Sequence, residues 1–569
     1  MSIVAIPDGR SSAIGREHLK ELAARLNFHH MPPNEADDYL TILRSFEAVM
    51  DSIDEASDYI PPTLKPQPTT EPRRFWKPEQ GSNPFNAWSH RCDLKSSSPI
   101  STLLSGHTVA IKDNIAVASL PTTMGLPANM FRSNASSYPV SQIDAVVVAR
   151  LLAAGATIKG TSTCESYCAS PLSWASITGP VQNPRLHGYT SGGSSSGSAC
   201  LVAAHQLAKA QDDHWGETVE MAIGSDQAGS VRVPASFNGI YGLKPTFGLI
   251  PYTGAGSMSS MIDHLGPLAS SLEDIALMLE VMAGYDGLDP RMTPESPLPD
   301  AVKTYSQILA QQRSQNMAVP HPGHGMKVGL LKEAFDMPGV DKDVRDIILS
   351  CCTKYFEAVG VSVIQVSVPM HSQGPIIWTA ATRPSMASTL CQGQPLGQLS
   401  YQVPHMELAW PPSQETYDSL TDLNPAVINI MLSEEFAQCH TKASLAAKAH
   451  RKALELRDAY DTALESVDVL IAPCTPCVAM PHPKTQPTGP DTHRSILEKL
   501  KPAVGLTNNT CPFNITGHPA LSTPCAYLPA MDVPETLLPV GMQIIGRRWK
   551  DEDVLKAAAL FEYGRQILK

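Results

Sequence analysis

Hydrophobic residues recur at helical spacing near the start of the chain and then give way to prolines. Leu19, Leu22 and Leu26 follow one another at three- and four-residue intervals, and a similar apolar stripe runs to about residue 55. This spacing predicts amphipathic helices. Between 58 and 85 the prolines are too dense for regular structure. We therefore expect residues 1–95 to form an N-terminal helical region with a Pro-rich arm, and the exposed stripe would suit a partner subunit.

Short apolar runs alternate with helical patterns from about residue 96 to the end. The predicted strands lie within 107–117, 156–159, 327–331, 467–472 and 541–546, and the predicted helices within 145–154, 198–207, 272–283, 426–464 and 552–567. Such alternation is typical of a layered α/β core. Segment 326–450 is less regular, and we interpret it as an inserted smaller subdomain of a main domain that spans 96–569.

Composition and charge exclude several classes of protein. The chain has 569 residues, of which 43% are hydrophobic and 17% charged, and this balance is typical of a globular protein with a large core. The net charge of -12 argues against a nucleic-acid-binding face. No apolar run reaches the roughly 18 residues that a membrane helix needs, and the first residues lack the pattern of a secretory signal. We predict a cytoplasmic protein with neither a nucleic-acid nor a membrane partner.

The twelve cysteines are scattered along the chain. Two pairs are closely spaced, Cys164 with Cys168 and Cys474 with Cys477. A metal site would need a second such pair or paired histidines nearby, and the sequence offers neither. We therefore expect free thiols, no metal and no organic cofactor.

One lysine interrupts an otherwise apolar run. Lys112 follows the segment Val109–Ile111 and precedes Asp113 and Asn114. Burial disfavours the ammonium form, so a buried lysine can act as a neutral base. A lysine at a strand end can equally extend its head to solvent. The segment alone leaves both interpretations open.

Glycine and serine fill residues 192–199, directly before the helical pattern at 198–207. Such composition is typical of a flexible linker, or of a rigid turn that places hydroxyl and N–H groups at a helix N-terminus. Residues 193–197 also fit the Gly-x-Ser-x-Gly pattern of an esterase nucleophile elbow. That elbow needs a preceding strand, and residues 181–188 are polar and turn-rich.

A second turn of small residues runs from 224 to 235 and contains Ser230. Successive backbone amides at Gln227, Ala228, Gly229 and Ser230 would form a concavity for the oxyanion of an acyl-transfer reaction. The alternative is a plain turn before an edge strand.

These three segments together resemble the amidase signature family of Ser-Ser-Lys hydrolases. Further matching segments follow in the family's order: 242–246, 248–251, 263–268 and 513–520. The resemblance covers roughly 96–569. It is strongest to the amidases associated with nitrile hydratases, which also carry an N-terminal helical domain and share the strings at 251–254 and 287–291. It implies a layered α/β/α core around a mixed twisted sheet, and a homodimer.

The resemblance also implies a catalytic triad. Ser230 would be the nucleophile, Ser194 the bridging serine on a cis peptide bond, and Lys112 the base, while the amides of Gln227, Ala228 and Gly229 would hold the oxyanion. Asp226 and Arg232 would brace the loop.

Two features depart from the family pattern. Ala228 stands where the family usually has glycine, which would narrow the oxyanion loop. Residues 207–216 look like an added loop between the two serines.

Three functions stay open from the sequence. The first is a hydrolase that cleaves the C–N bond of small carboxamides through a Ser230 acyl-enzyme. The second is a biosynthetic acyltransferase or cyclase that uses the same acyl-enzyme. The third is a partner-dependent subunit of the amidotransferase type. We expect the 326–450 segment with Trp378, and residues near Ile262, to set specificity for the acyl group.

Overall fold

The computed structural model describes residues 12–132, 137–211, 215–394, 398–483 and 495–568. The chain divides into two compact units, residues 1–62 and 63–569. The first unit contains α1 (Arg16–Arg25) and α2 (Pro33–Asp54), which pack against each other. The predicted N-terminal helices are therefore present.

The second unit contains one large sheet and a separate pair of strands. Its strands are β1 (Phe75–Trp76), β2 (Trp88–Lys95), β3 (Thr108–Lys112), β4 (Thr157–Ser162), β5 (Gln182–Asn183), β6 (Leu186–Thr190), β7 (Met221–Asp226), β8 (Tyr241–Lys244), β9 (His264–Ala269), β10 (Lys327–Leu331), β11 (Ser362–Val366), β12 (Val469–Pro473), β13 (Ala520–Pro529) and β14 (Leu537–Gly546). Within the described ranges, twelve strands form the sheet in the order β1-β2-β4-β3-β7-β9-β8-β13-β14-β12-β10-β11, and β5 pairs with β6 separately. β3 is parallel to both of its neighbours, whereas β9 and β14 are antiparallel to theirs, so the sheet is mixed.

Helices cover both faces of this sheet. They are α3 (Val146–Ala153), α4 (Ser196–Gln211), α5 (Arg232–Asn238), α6 (Leu272–Met282), α7 (Tyr305–Ala318), α8 (Lys332–Phe335), α9 (Lys342–Ala358), α10 (Gly374–Leu390), α11 (Gln414–Leu423), α12 (Pro425–His440), α13 (Ala443–Ser466), α14 (Ile496–Leu500), α15 (Pro512–Thr516) and α16 (Asp551–Ile567). A Cβ added at Gly541 would touch Ser236 of α5, whereas one at Gly546 would touch Val554 of α16. Positions five apart on a strand face opposite sides of a sheet. The predicted layered α/β/α architecture is confirmed.

The central strands are buried along their whole length. Every residue of β7, β9 and β12 is buried. A strand covered on both faces needs no alternation of polar and apolar residues. Of these three strands only β12 was predicted from its apolar run, whereas β7 and β9 carry glycine and polar residues among their apolar ones and were not predicted. The ends of β3 and β7, in the middle of the sheet, carry the residues singled out above.

Two predicted boundaries differ from the structure. The arm does not extend to residue 95, because β1 and β2 pair with each other and β2 pairs with β4 in the main sheet. The prolines of this segment flank the two strands and leave their pairing intact. Segment 326–450 is likewise no separate subdomain, since β10 and β11 pair in parallel and β10 pairs with β12.

The predicted added loop at 207–216 begins later than expected, because α4 continues to Gln211, and residues 212–214 lie outside the described residues. No helix in the described ranges is long and apolar enough to cross a membrane.

Candidate active site

Lys112 is the last residue of β3 and is fully buried. Its Nζ donates hydrogen bonds to Ser194 Oγ at 2.8 Å and to Ser225 Oγ at 2.8 Å, and the Ser225 carbonyl oxygen lies at 3.4 Å. All three acceptors are uncharged oxygens, and no ion pair of the described residues includes Lys112. The structure thus excludes the interpretation in which the lysine extends to solvent.

Ser194 lies in the turn that leads into α4. The peptide bond between Gly193 and Ser194 is cis, as the resemblance implied. A Cβ at Gly193 would come within 2.5 Å of the Leu172 carbonyl oxygen and 2.7 Å of the Ser170 carbonyl oxygen, so only glycine fits here. The Gly/Ser run is therefore a tightly packed turn and not a linker, and it fixes Ser194 against Lys112.

Ser230 lies in the loop between β7 and α5, and 8% of its surface is exposed. The Ser195 N–H donates to the Ser230 carbonyl oxygen at 3.3 Å, which joins the two turns through their backbones. Among the described residues, Ser194 Oγ has no hydrogen bond with the Ser230 hydroxyl. Lys112 and Ser194 are therefore in direct hydrogen-bond contact, and Ser230 is held beside them by the backbone.

The loop before Ser230 is organised around the buried carboxylate of Asp226. Asp226 Oδ1 accepts the Gly229 N–H at 2.7 Å, and Oδ2 accepts the Val231 N–H at 3.1 Å. Among the described residues, the amides of Gln227, Ala228 and Ser230 have no hydrogen-bond acceptor. The Gly229 amide is engaged, so three of the four predicted oxyanion donors are free in this conformation.

Arg232 forms a fully buried ion pair with Asp226, with Nη2 at 2.9 Å from Oδ1. Burial alone would raise the pKa of Asp226, but the charge and hydrogen bonds of Arg232, together with Asn514, hold it well below its usual range. Arg232 also donates to the Thr510 carbonyl oxygen at 3.0 Å and to Asn514 Oδ1 at 2.6 Å. Asp226 and Arg232 therefore brace the loop that carries Ser230.

Of the two positions expected to set specificity for the acyl group, Trp378 lies against the oxyanion loop and Ile262 lies in the core. The indole N–H of Trp378, on α10, donates to the Gln227 carbonyl oxygen at 3.0 Å, so this half-buried ring lies against the oxyanion loop. Ile262 is fully buried.

Sequence reasoning missed two residues that contact the site. Ser225, the second acceptor of the Lys112 N–H groups, stands directly before Asp226 in the same small-residue turn. Glu165 is fully buried and accepts from Ser196 Oγ at 2.9 Å and from the Ala175 N–H at 2.6 Å. Burial raises the pKa of Glu165 to about 8, against the effect of these hydrogen bonds. The sequence signal for Glu165 was its position as the one acidic residue among residues 161–168.

All twelve cysteines are free thiols. Within the described ranges, no group of three or more His, Cys, Asp or Glu side chains could hold a metal ion.

Comparison with known proteins identifies the family to which this fold belongs. The amidase family profile matches residues 87–555. An enantioselective amidase of Rhodococcus rhodochrous is 33% identical over 495 residues, which cover 86% of each chain. A glutamyl-tRNA(Gln) amidotransferase subunit of Methanosarcina mazei is 31% identical over 467 residues, covering 81% of this chain and 84% of that protein.

Solved structures show the same fold. A bacterial aryl acylamidase of the amidase signature family aligns with a TM-score of 0.61 at 22% identity, over 82% of this chain and 84% of that chain. The peptide amidase of Stenotrophomonas maltophilia aligns with a TM-score of 0.58 at 23% identity, over 81% and 82%. The chain belongs to the amidase family and is an amidase-type enzyme.

Proposed function

We propose that the protein hydrolyses the C–N bond of small carboxamides through an acyl-enzyme on Ser230. The observation that carries this proposal is the 2.8 Å hydrogen bond between Lys112 Nζ and Ser194 Oγ in a fully buried setting. No carboxylate of the described residues forms an ion pair with Lys112, so the amine is free to exchange protons with the serines. This geometry supports a relay in which hydroxyl groups replace the histidine of other serine hydrolases.

The reaction would begin when Lys112, as the neutral amine, accepts the Ser194 proton while Ser194 accepts the Ser230 proton. Ser230 Oγ then attacks the amide carbon. The charged Lys112 returns a proton through Ser194 to the leaving nitrogen, and the C–N bond breaks. Water hydrolyses the ester at Ser230 by the same relay, and no metal or organic cofactor enters the scheme.

The free amides of Gln227, Ala228 and Ser230 would stabilise the oxyanion. The Gly229 N–H donates to the Asp226 carboxylate instead, so Gly229 would act by holding the loop in this conformation. The Ala228 methyl group would narrow the space inside this loop. The Trp378 ring, which lies against the loop, would contact the acyl group of the substrate.

A panel of simple aliphatic and aromatic amides tests the proposal, with ammonia release as the readout. We expect turnover of at least one member, and a loss of about 10³-fold or more in Ser230→Ala. Ser198→Ala is the matched control, because its buried hydroxyl bonds Ser162 Oγ and the Ile223 carbonyl oxygen and none of the triad residues. Full activity in Ser230→Ala would overturn the proposal.

A second candidate is an amidotransferase-type subunit, which the similarity to the Methanosarcina protein favours. Activity on glutamine alone, together with co-purification of two further subunits, would support this candidate. Faster product formation with an added amine would instead support acyl transfer. The net charge of -12 weighs against a contact with tRNA.

We also propose a homodimer. One face of α2 exposes large hydrophobic side chains at helical spacing: Tyr39, Ile42, Phe46, Met50 and Ile53. We expect light scattering to give twice the monomer mass for the wild type and the monomer mass for Phe46→Glu. A monomeric wild type would refute this.

A further inference from the structure

A cleft that has no part in the scheme above lies at the beginning of β2. It encloses about 640 Å³, which is within the range of about 300–1,000 Å³ that small-molecule sites occupy. Its walls come from the segment after β1, from the start of β2 and from the loops at Thr123, Tyr138 and Ile177. No residue of the proposed triad is among the described residues that line it. The cleft is therefore distinct from the proposed active site.

His90, the third residue of β2, lines this cleft and has one ring nitrogen without a partner. Only 3% of the residue is exposed. The rings of Phe75 and Tyr138 pack edge-on against the imidazole, with centroids at 5.6 and 6.3 Å, and fix its orientation. Nδ1 lies 3.1 Å from Ser89 Oγ, whereas Nε2 has no hydrogen-bond partner among the described residues. Because buried polar groups are nearly always hydrogen-bonded, this nitrogen at the wall of a cleft points to a ligand.

The neighbours of His90 decide which ring nitrogen carries the proton. Burial raises the pKa of Asp113 to about 7, so at pH 8 its carboxyl group is ionised and takes the hydrogen of Ser89 Oγ, at 2.6 Å from Oδ2. A hydroxyl whose hydrogen is engaged can only accept further hydrogen bonds, so His90 Nδ1 is the donor to Ser89. Burial and the charge of Lys77 lower the pKa of His90 to about 4, so the ring is neutral. Nε2 is therefore an unprotonated acceptor.

A lysine ammonium lies at the same cleft. Lys77 follows β1, lines the cleft and is exposed. Its charge acts on His90, which places the ammonium near the imidazole. Lys77 forms no ion pair with a described residue, and no aspartate or glutamate is among the described residues that line the cleft. An anionic group of a ligand would therefore meet an unpaired positive charge.

His90 and Lys77 together limit the chemistry of the ligand. The lone pair on His90 Nε2 needs an N–H or O–H group and disfavours an anionic oxygen. A single ammonium balances one carboxylate, whereas a doubly charged phosphate would leave one negative charge facing the imidazole lone pair. The remaining lining includes Pro78, Pro84 and Ile177, which suit an apolar or aromatic body.

We propose that this cleft binds a small aromatic carboxylate that carries an N–H donor, such as an N-acyl amino acid. The N–H would donate to His90 Nε2, the carboxylate would contact Lys77 Nζ, and the ring would lie against the apolar wall. Ser89 links the imidazole to Asp113, the residue after Lys112, so the ligand would be joined by hydrogen bonds to the segment that carries the proposed base. Binding at this site does not require the proposed hydrolysis.

Isothermal titration calorimetry at pH 8 on the Ser230→Ala chain, in which turnover should not consume the probe, tests the chemistry of the ligand. The probes are N-benzoylglycine, O-benzoylglycolate, which has an oxygen in place of the N–H, and N-methylbenzamide, which lacks the carboxylate. We expect N-benzoylglycine to bind with one-to-one stoichiometry. O-benzoylglycolate should bind about tenfold more weakly or worse, because two acceptors would face each other, and N-methylbenzamide several-fold more weakly. Absence of binding of N-benzoylglycine, or equal affinity for all three probes, would overturn the proposal.

Substitutions in the same background test the position of the ligand. His90→Asn keeps an N–H for Ser89 but removes the acceptor, so it should weaken N-benzoylglycine about tenfold and leave O-benzoylglycolate unchanged. His90→Gln has a side-chain oxygen that reaches the place of Nε2 and should restore part of this affinity. Lys77→Met should weaken both carboxylates several-fold and leave N-methylbenzamide unchanged. The control is Lys342→Met, an exposed lysine of α9 outside the cleft, which should bind all three probes as before.

Two outcomes would contradict the assigned site. Equal losses for both carboxylates in His90→Asn would refute the hydrogen bond to Nε2. Loss of binding in Trp378→Phe, with full affinity in His90→Asn, would place the probe at the oxyanion loop. Should His90→Asn not fold, the exposed Lys77→Met and the three probes decide. Failure here leaves the acyl-enzyme untouched, because that proposal is judged by turnover in Ser230→Ala.

Discussion

Asp226→Asn is a severe test of the brace behind the oxyanion loop. Asp226 and Arg232 are both fully buried, and this substitution removes the negative charge while it keeps the size of the side chain. Removing one partner of a buried ion pair costs about 3–5 kcal/mol, because the remaining charge is left without compensation. The free energy of unfolding of a domain is about 5–15 kcal/mol, so the loss is a large share of it.

The cost should also depend on pH. The folded-state pKa of Asp226 lies below its unfolded value, so the ion pair contributes its full stability above the unfolded pKa and loses it as the pH falls toward the folded one. The difference in the free energy of unfolding between wild type and Asp226→Asn should therefore be constant at neutral pH and decrease below about pH 4.

Urea unfolding at pH 7, followed by circular dichroism, gives the measurement. The control is Asp346→Asn, which removes an exposed i,i+4 ion pair with Lys342 and should barely change the free energy of unfolding, because solvent screens such a pair. A cost for Asp226→Asn as small as that of the control would refute the bracing role.

Two further predictions concern residues that contact the site. Glu165→Gln should keep kcat/KM at pH 7 within a few-fold of wild type, because the native carboxyl group is mostly neutral at that pH. Glu165→Ala should lose about tenfold or more. Equal losses in the two variants would contradict a neutral Glu165 carboxyl group. Since the folded pKa of Glu165 is raised, wild type should lose stability relative to Glu165→Gln as the pH rises from about 4.5 to 8, as urea unfolding would show. Trp378→Phe removes the donor to the Gln227 carbonyl oxygen and should lower kcat by about two- to tenfold, in line with a net hydrogen bond of about 0.5–1.5 kcal/mol. An unchanged kcat in steady-state assays would show that this bond does not hold the loop.

Local pattern was sufficient to predict helices that pack on the sheet. The predicted helix at 272–283 is α6 (Leu272–Met282), and the predicted helix at 552–567 is α16 (Asp551–Ile567). In each case the apolar positions repeat with helical period, because one face packs on the sheet. The Gly/Ser run and the lysine could also be singled out, since both are unusual in their local context.

Pairing between distant strands could not be read in the same way. Proline density hid β1 and β2, whose pairing with the main sheet depends on residues far along the chain. Ser225 and Glu165 escaped notice because their contacts with the site are made only in the folded chain. The engagement of the Gly229 amide by Asp226 is likewise a property of the loop conformation and not of composition.

Covalent labelling with a fluorophosphonate is the decisive assay of Ser230 as the nucleophile, since it needs no knowledge of the substrate. We expect a single adduct on Ser230 by peptide mass spectrometry, none in Ser230→Ala, and labelling slowed by about 100-fold or more in Lys112→Met and in Ser194→Ala. An adduct on another residue, or labelling of Lys112→Met at the wild-type rate, would contradict it.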